Sequence, residues 1–415
     1  MSTFPIMNPS SPRPTITELR LAAFKSHRGA RFALGPLTLL AGGGGSGKSS
    51  ALEALAVLAR LAGGEELGGA FDGVVRGGAP ACAPLGTRPD TQRRRGFRIG
   101  CTVDGPAGEV RLDVAVQTEP EPRVVGERLT GAGRTLLATA LRDPARRAVQ
   151  AAWHTGGAVQ VTRAPLPDDR LATALLPLRV AGTTDGQRLV LAAAEQVVIA
   201  LRAVFAVDPQ PWRMREPARL GDGLLRGGCD NLSAVLFRTQ DECRTRHAAL
   251  VGAARVACAG QVDGLVAARQ DGRDSVLAAV DRGPLGSTPL DRLGDSELRF
   301  LALGLVLLTG PGVLEMDQSA EVPPALRAMT VLADGLDSGL DRRQTAELLS
   351  LAARAARRGH VRLLGTVYDA DPFEGAELVS VIRLRRADEG GARVPQQRGE
   401  TRRGASAVAA RRDGE

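Results

Sequence analysis

Leu37-Thr38-Leu39-Leu40-Ala41-Gly42-Gly43-Gly44-Gly45-Ser46-Gly47-Lys48-Ser49-Ser50 is the stretch on which the fold turns. Gly42 to Ser49 satisfies G-x-x-x-x-G-K-[ST], whose glycines let the backbone turn with its N–H groups aimed at phosphate oxygens. In that pattern the lysine, here Lys48, reaches the β- and γ-phosphates. The Ser49 hydroxyl faces Mg²⁺, and the helix that begins there turns its positive end toward the anion. The surroundings agree. Leu37–Leu40 is a short apolar run that predicts a buried parallel strand. Leu52, Leu55, Leu58 and Ala59 recur at helical spacing, with Glu53 and Arg60 between them. A flexible turn is the competing reading in a chain with 50 glycines. Lysine decides against it. Of 54 basic residues only Lys25 and Lys48 are lysines, and Lys48 stands where a compact ammonium is wanted. Gly42, Gly43, Gly44, Gly45, Ser46, Gly47, Lys48, Ser49 and Ser50 are therefore assigned to a nucleoside triphosphate, with Ser49 also on Mg²⁺.

A chain of 415 residues, 43% apolar, can bury a large core. Aromatics make up only 3%, so Leu, Ala and Val must build that core. No run approaches the ~18–20 apolar residues of a membrane span, and residues 1–14 lack the pattern of a secretion signal. Cys82, Cys101, Cys229, Cys243 and Cys258 are scattered without a C-x-x-C pair, as reduced thiols in a cytoplasm would be, and they argue against zinc. The net charge of +8 is compatible with DNA. An arginine-, alanine- and glycine-heavy composition produces the same charge without any such partner. His27, His154, His247 and His360 are isolated and are assigned to neither metal nor catalysis.

Along the chain, residues 1–14 and 386–415 read as disordered ends. The stretches 16–26 and 31–34 read as antiparallel strands, and 97–103 and 110–117 as a β-meander. Residues 187–206 and segments of 232–270 read as helices, Gln344–Arg357 as another. Met329–Ala333 and Val361–Gly365 read as buried strands.

The later segments carry a resemblance. Thr330-Val331-Leu332-Ala333-Asp334 resembles a Walker B strand, whose terminal carboxylate helps hold Mg²⁺. The following Leu336-Asp337-Ser338-Gly339-Leu340-Asp341 resembles the D-loop of ATP-binding-cassette (ABC) ATPases, with Ser338, Gly339, Leu340 and Asp341 as its core. Leu293-Gly294-Asp295-Ser296-Glu297 resembles the cassette signature. The opening strands, "GDSELRFLALGLVLL" and Gly228–Leu236 are similar to stand-alone AAA/ABC-type ATP-binding proteins of the RecF/SMC-like branch. The resemblance spans roughly 15–385. It implies an α/β P-loop NTPase with an ABC-ATPase-like head, combining a mixed central sheet with an antiparallel β subdomain. The head would be discontinuous, 15–185 and 285–385, around a helical lid at 186–284. It also implies a sandwich of two heads around two ATP molecules, hence a homodimer or a protein partner. A long coiled coil is excluded, because the intervening sequence lacks sustained heptads.

The departures matter as much. Gly335 stands where the family carries the glutamate that polarises water, and Val367 where it carries the switch histidine. Gly294 replaces the usual signature serine, and Gly44 a frequent asparagine. No catalytic residue is assigned. Losing a general base typically costs ~10²–10⁴ in rate, which leaves two readings open: a slow, DNA-linked ATPase, or a nucleotide-gated module that does not hydrolyse. An alternative alignment takes Asp317 as the Walker B acid, with Gln318 after it. Under the first alignment Gly335→Glu is expected to raise turnover, unless the glycine serves a backbone with φ > 0; under the second, Gln318→Glu. Gln92 is a candidate Mg²⁺-sensing glutamine, with a plain surface residue as the competing reading. Lys25 divides evenly between a place near the nucleotide and an exposed strand end.

Overall fold

The computed structural model describes residues 13–386, apart from 85, 92, 157–158, 271, 273 and 317–327. The chain opens with β1 (Thr15–Phe24), β2 (His27–Ala33) and β3 (Leu37–Ala41), then α1 (Lys48–Ala62) and α2 (Leu67–Phe71). An antiparallel run follows: β4 (Arg95–Asp104), β5 (Val110–Glu119), β6 (Arg123–Gly131), β7 (Arg134–Ala140), β8 (Ala148–His154) and β9 (Val161–Pro167). Next come α3 (Ala172–Leu175), α4 (Asp185–Arg202), β10 (Val204–Val207), α5 (Pro211–Met214), β11 (Ala218–Arg219), α6 (Leu232–Glu242) and α7 (Arg244–Ala257). The last third holds β12 (Gly264–Arg269), β13 (Ser275–Asp281), β14 (Ser287–Pro289), α8 (Asp295–Leu308), β15 (Met329–Ala333), α9 (Arg342–Arg357), β16 (Val361–Val367) and β17 (Val379–Arg383).

Among the described residues these strands form three sheets, so the protein is mixed α/β. One is antiparallel, in the order β2-β1-β4-β5-β6-β7-β8-β9. Its strands alternate: Leu112, Val114 and Val116 of β5 are buried, while Arg111, Asp113 and Ala115 are more open. The second is parallel throughout, in the order β10-β15-β16-β3-β17. Every residue of β3 and β15 is buried, because strands covered on both faces have no side to give to water. The third is small, β11-β13-β12 with β14 on β13.

α1 lies between the two large sheets, touching β1 and β4 on one side and β10, β15 and β16 on the other. Its buried set, including Ala54, Leu55, Val57, Leu58 and Leu61, therefore runs around most of the helix. Each such leucine contributes ~1.5–3 kcal/mol by leaving water, which anchors the loop in front of the helix. A second core joins the parallel sheet to α6, α7, α8 and α9.

The span 186–284, expected to be a helical lid, is not all helix. It holds α4, which packs on the antiparallel sheet, β10, which lies in the parallel sheet, and the strands β11 to β13. Among the described residues no helix is long and apolar enough to cross a membrane. The expected disordered ends lie outside the described residues, apart from Arg13, Pro14 and Arg386.

One buried acid sets a pH dependence. Glu127 of β6 accepts from the N–H of Ala172 (2.6 Å), the N–H of Thr173 (2.7 Å) and the Thr173 hydroxyl, at the start of α3. Burial pushes its pKa up to about 7 against those hydrogen bonds. A folded-state pKa above the unfolded one means that the unfolded chain loses its proton first as pH rises. Stability from this group is thus complete below pH ~4.5 and declines up to about 7, by on the order of 3 kcal/mol at most. Glu127→Gln is expected to remove that slope. Urea melts of both proteins at pH 5 and pH 8 check it, and equal slopes would refute it.

Candidate functional site

The parallel strands all end on one edge of their sheet, the place where open α/β sheets bind ligands. Four segments reach that edge. The Gly42–Gly47 turn leaves β3, Asp334 follows β15, Thr366 and Val367 close β16, and Asp208 follows β10. One strand, β16, separates the ends of β3 and β15.

Gly43, Gly44 and Gly45 are exposed, and among the described residues a Cβ added at Gly43 or Gly44 would meet nothing within 4 Å. Lys48 folds back, its Nζ donating to the carbonyls of Gly42 (2.5 Å) and Gly43 (3.1 Å). Ser46 Oγ is buried with no hydrogen-bond partner among the described residues. An anion held by the loop would take over the Lys48 ammonium and offer Ser46 an acceptor, so these residues fit a polyphosphate. Gly47 is tightly specified. Its φ is 92°, and a Cβ there would stand 2.6 Å from Ser26 Oγ and 2.7 Å from His27 Nε2.

That contact gives His27 a place the sequence did not suggest. Its ring is buried, packs edge-on against Phe32, and has Nε2 2.9 Å from the Gly47 carbonyl. A carbonyl only accepts, so Nε2 carries the proton. Burial lowers the pKa of the ring and keeps it neutral. Lys25 beside it, at φ 49°, pairs with Glu53 of α1, and its N–H donates to the Cys82 carbonyl at 2.7 Å. The tip of the first hairpin thus braces the loop and its helix.

Asp334 is exposed and held from β16. The Thr366 hydroxyl donates to its Oδ1 (2.5 Å) and accepts from the Gly335 N–H (2.7 Å). Arg299 of α8 donates to the carbonyls of Gly335 (3.3 Å) and Pro209 (2.8 Å) and lies 3.6 Å from Asp208. Gly335 has φ 59°, and a Cβ there would meet Ser338 Oγ at 2.4 Å. The condition attached to Gly335→Glu is therefore met: this glycine serves a left-handed backbone, and restored turnover is no longer expected.

Val367 is buried with its side chain in the core, and it is Tyr368, 75% exposed, that meets solvent at this edge. The Tyr368 N–H donates to Asp337 Oδ2 at 2.8 Å. Asp341 caps α9 in a reciprocal pair with Gln344: its Oδ1 accepts from the Gln344 N–H (2.7 Å), and its N–H donates to Gln344 Oε1 (3.0 Å). Ser338 and Gly339 are exposed, with Leu340 half-buried before that cap.

Leu293 is buried, Gly294 precedes α8, and Asp295, Ser296 and Glu297 form its first turn. Arg215 donates to the Leu293 carbonyl (2.9 Å) and to Asp295 Oδ1 (2.6 Å), and Arg282 lies 3.4 Å from Glu297. The polar contacts found for this turn among the described residues thus run to Arg215 and Arg282, not to Gly42–Ser49. Asn231, in the family-like segment, is buried and holds the carbonyls of Asp222 and Leu224. Gln92, Asp317 and Gln318 lie outside the described residues. Cys82, Cys101 and Cys258 have thiols pushed up to about 12 by burial, which suits packing rather than nucleophilic chemistry.

No protein-family model matches the chain, and no curated protein matches it. Solved structures resemble it distantly. The SmcHead bound to the C-winged helix domain of ScpA superposes with TM-score 0.48 at 12% identity, over 90% of this chain and 95% of that one. The Pyrococcus furiosus Smc head domain with an extended coiled coil, bound to the C-terminal domain of ScpA, gives 0.47 at 10% identity, over 90% and 94%. The SMC head domain from Thermotoga maritima gives 0.40 at 13% identity, over 89% and 94%.

Proposed function

We propose that the chain binds Mg-ATP at Gly42–Ser50 and uses the bound nucleotide to associate with a second head, with hydrolysis slow at most. The observation that carries the reading is the Gly42–Gly47 turn, anchored between β3 and a nearly all-round buried α1, with Lys48 inside it and Asp334 on the same sheet edge. The loop amides and Lys48 would hold the phosphates, while the Ser49 hydroxyl and the Asp334 carboxylate would hold Mg²⁺. The metal, when bound, neutralises phosphate charge. Thr366 fixes the Asp334 carboxylate by the hydrogen bond described above, and so acts as a positioning residue. Slow turnover is supported by Gly335, which offers no carboxylate, and by Val367, whose side chain is turned into the core.

Association is supported by the signature-like turn. Asp295 and Ser296 make no polar contact with their own chain's loop among those described, as groups reserved for a second subunit would not. The second head would be another copy of this chain or a protein partner. ATP, more than ADP, is expected to shift the sedimentation coefficient toward a dimer, and Ser296→Arg is expected to abolish the shift. A protein that binds ATP yet stays monomeric, or a shift that survives Ser296→Arg, would remove this arrangement.

A further inference from the structure

We infer that Arg386 is a second cationic ligand of the polyphosphate, reaching the loop from the extension of β17; this rests on the phosphate-binding reading of Gly42–Ser49. The chain returns to the loop by strand addition. β17 pairs in parallel with β3, Arg383 opposite Ala41, and the Leu384 N–H then donates to the Ala41 carbonyl at 2.8 Å. The Leu384 carbonyl oxygen lies 2.4 Å from where a Gly42 Cβ would be, so the segment packs directly on the start of the loop. Two residues later the Arg386 side chain passes Gly45, with Nε 4.0 Å from the position of a Cβ there. Gly45 is exposed, in the middle of the turn whose amides face the phosphates, and Arg386 is exposed beside it.

Chemistry and placement agree. Lys48 reaches the loop from its C-terminal end, through the start of α1, whereas Arg386 comes to it from the extension of a different strand, β17. A triphosphate carries more charge than one ammonium neutralises, and a guanidinium offers a planar fork to phosphate oxygens. Arg386 is a loop-facing cation of the same strand extension.

Isothermal titration of the full chain with ATP, ADP and AMP tests this, on wild type, Arg386→Ala, Arg386→Lys and Lys48→Ala, each with a thermal melt. Arg386→Ala is expected to weaken ATP about tenfold, as loss of one charge-assisted contact does, ADP less and AMP least. Arg386→Lys should recover most of the affinity, and the melts should coincide. Wild-type ATP affinity in Arg386→Ala, beside lost binding in Lys48→Ala, overturns the inference and leaves the phosphate loop standing. An equal loss for ATP and AMP also overturns it, because that pattern reports a disturbed fold and not a phosphate contact. Unchanged binding in Lys48→Ala would instead sink the phosphate-loop reading itself.

Discussion

Lys48→Ala is expected to lower ATP affinity by about a hundredfold or more while leaving the fold intact. Each hydrogen bond from a charged group is worth ~1.5–3 kcal/mol, and an ammonium bridging two phosphates makes at least two. Removing it also leaves phosphate charge facing the loop amides without its counter-charge. The stability side is separate. In this structure the ammonium donates to the carbonyls of Gly42 and Gly43, which border the exposed part of the loop and can turn to water instead. Truncation should therefore change the unfolding free energy by less than ~1 kcal/mol. Titration calorimetry beside a urea melt separates the two effects. Retained ATP affinity would remove the nucleotide assignment, and with it every role given to Ser49 and Asp334.

Gly47→Ala makes an instructive contrast without any ligand. A methyl group there would meet Ser26 and His27 below 3 Å, on a backbone in the left-handed region. Loop and first hairpin are thus one packed unit, and the glycine at this position is fixed by the fold as well as by phosphate.

Much of the site was legible because its signals are local. The loop pattern, the apolar run before it and the helical spacing after it lie within a few turns of chain. Met329–Ala333 was readable as a strand for the same reason: burial on both faces leaves an unbroken apolar run. β10 was not. Val204–Val207 follows α4 after a single residue, so its apolar letters read as one more helical turn. β12 and β13 are rich in alanine, which signals strand poorly. Contacts that join distant segments were beyond reach. Thr366 on Asp334, Arg299 on Gly335 and His27 on Gly47 depend on which strand lies beside which. Nothing in the spacing of those residues announces the pairing.

Turnover is where the sequence expectation and the structure part most sharply. Wild-type hydrolysis is expected to be well below the ~1–10³ s⁻¹ of ordinary enzymes, since neither a carboxylate at 335 nor an imidazole at 367 is present. Supplying the carboxylate as Gly335→Glu should not repair this. An L-residue at φ 59° costs ~1–2 kcal/mol, and the contact of its Cβ with Ser338 Oγ at 2.4 Å adds to that. The peptide cannot readily turn away, because Thr366 holds its N–H and Arg299 its carbonyl. The expected outcome is a loss of about 2–4 kcal/mol of stability, with no gain in kcat. Gly335→Glu combined with Ser338→Gly removes the close side-chain atom and should recover part of the stability, leaving the backbone cost. A single-turnover assay with a thermal melt on all three proteins reads both quantities. A stable Gly335→Glu that turns over faster than wild type would show that the backbone here yields. In that case the missing carboxylate, and not the geometry around Gly335, limits the reaction.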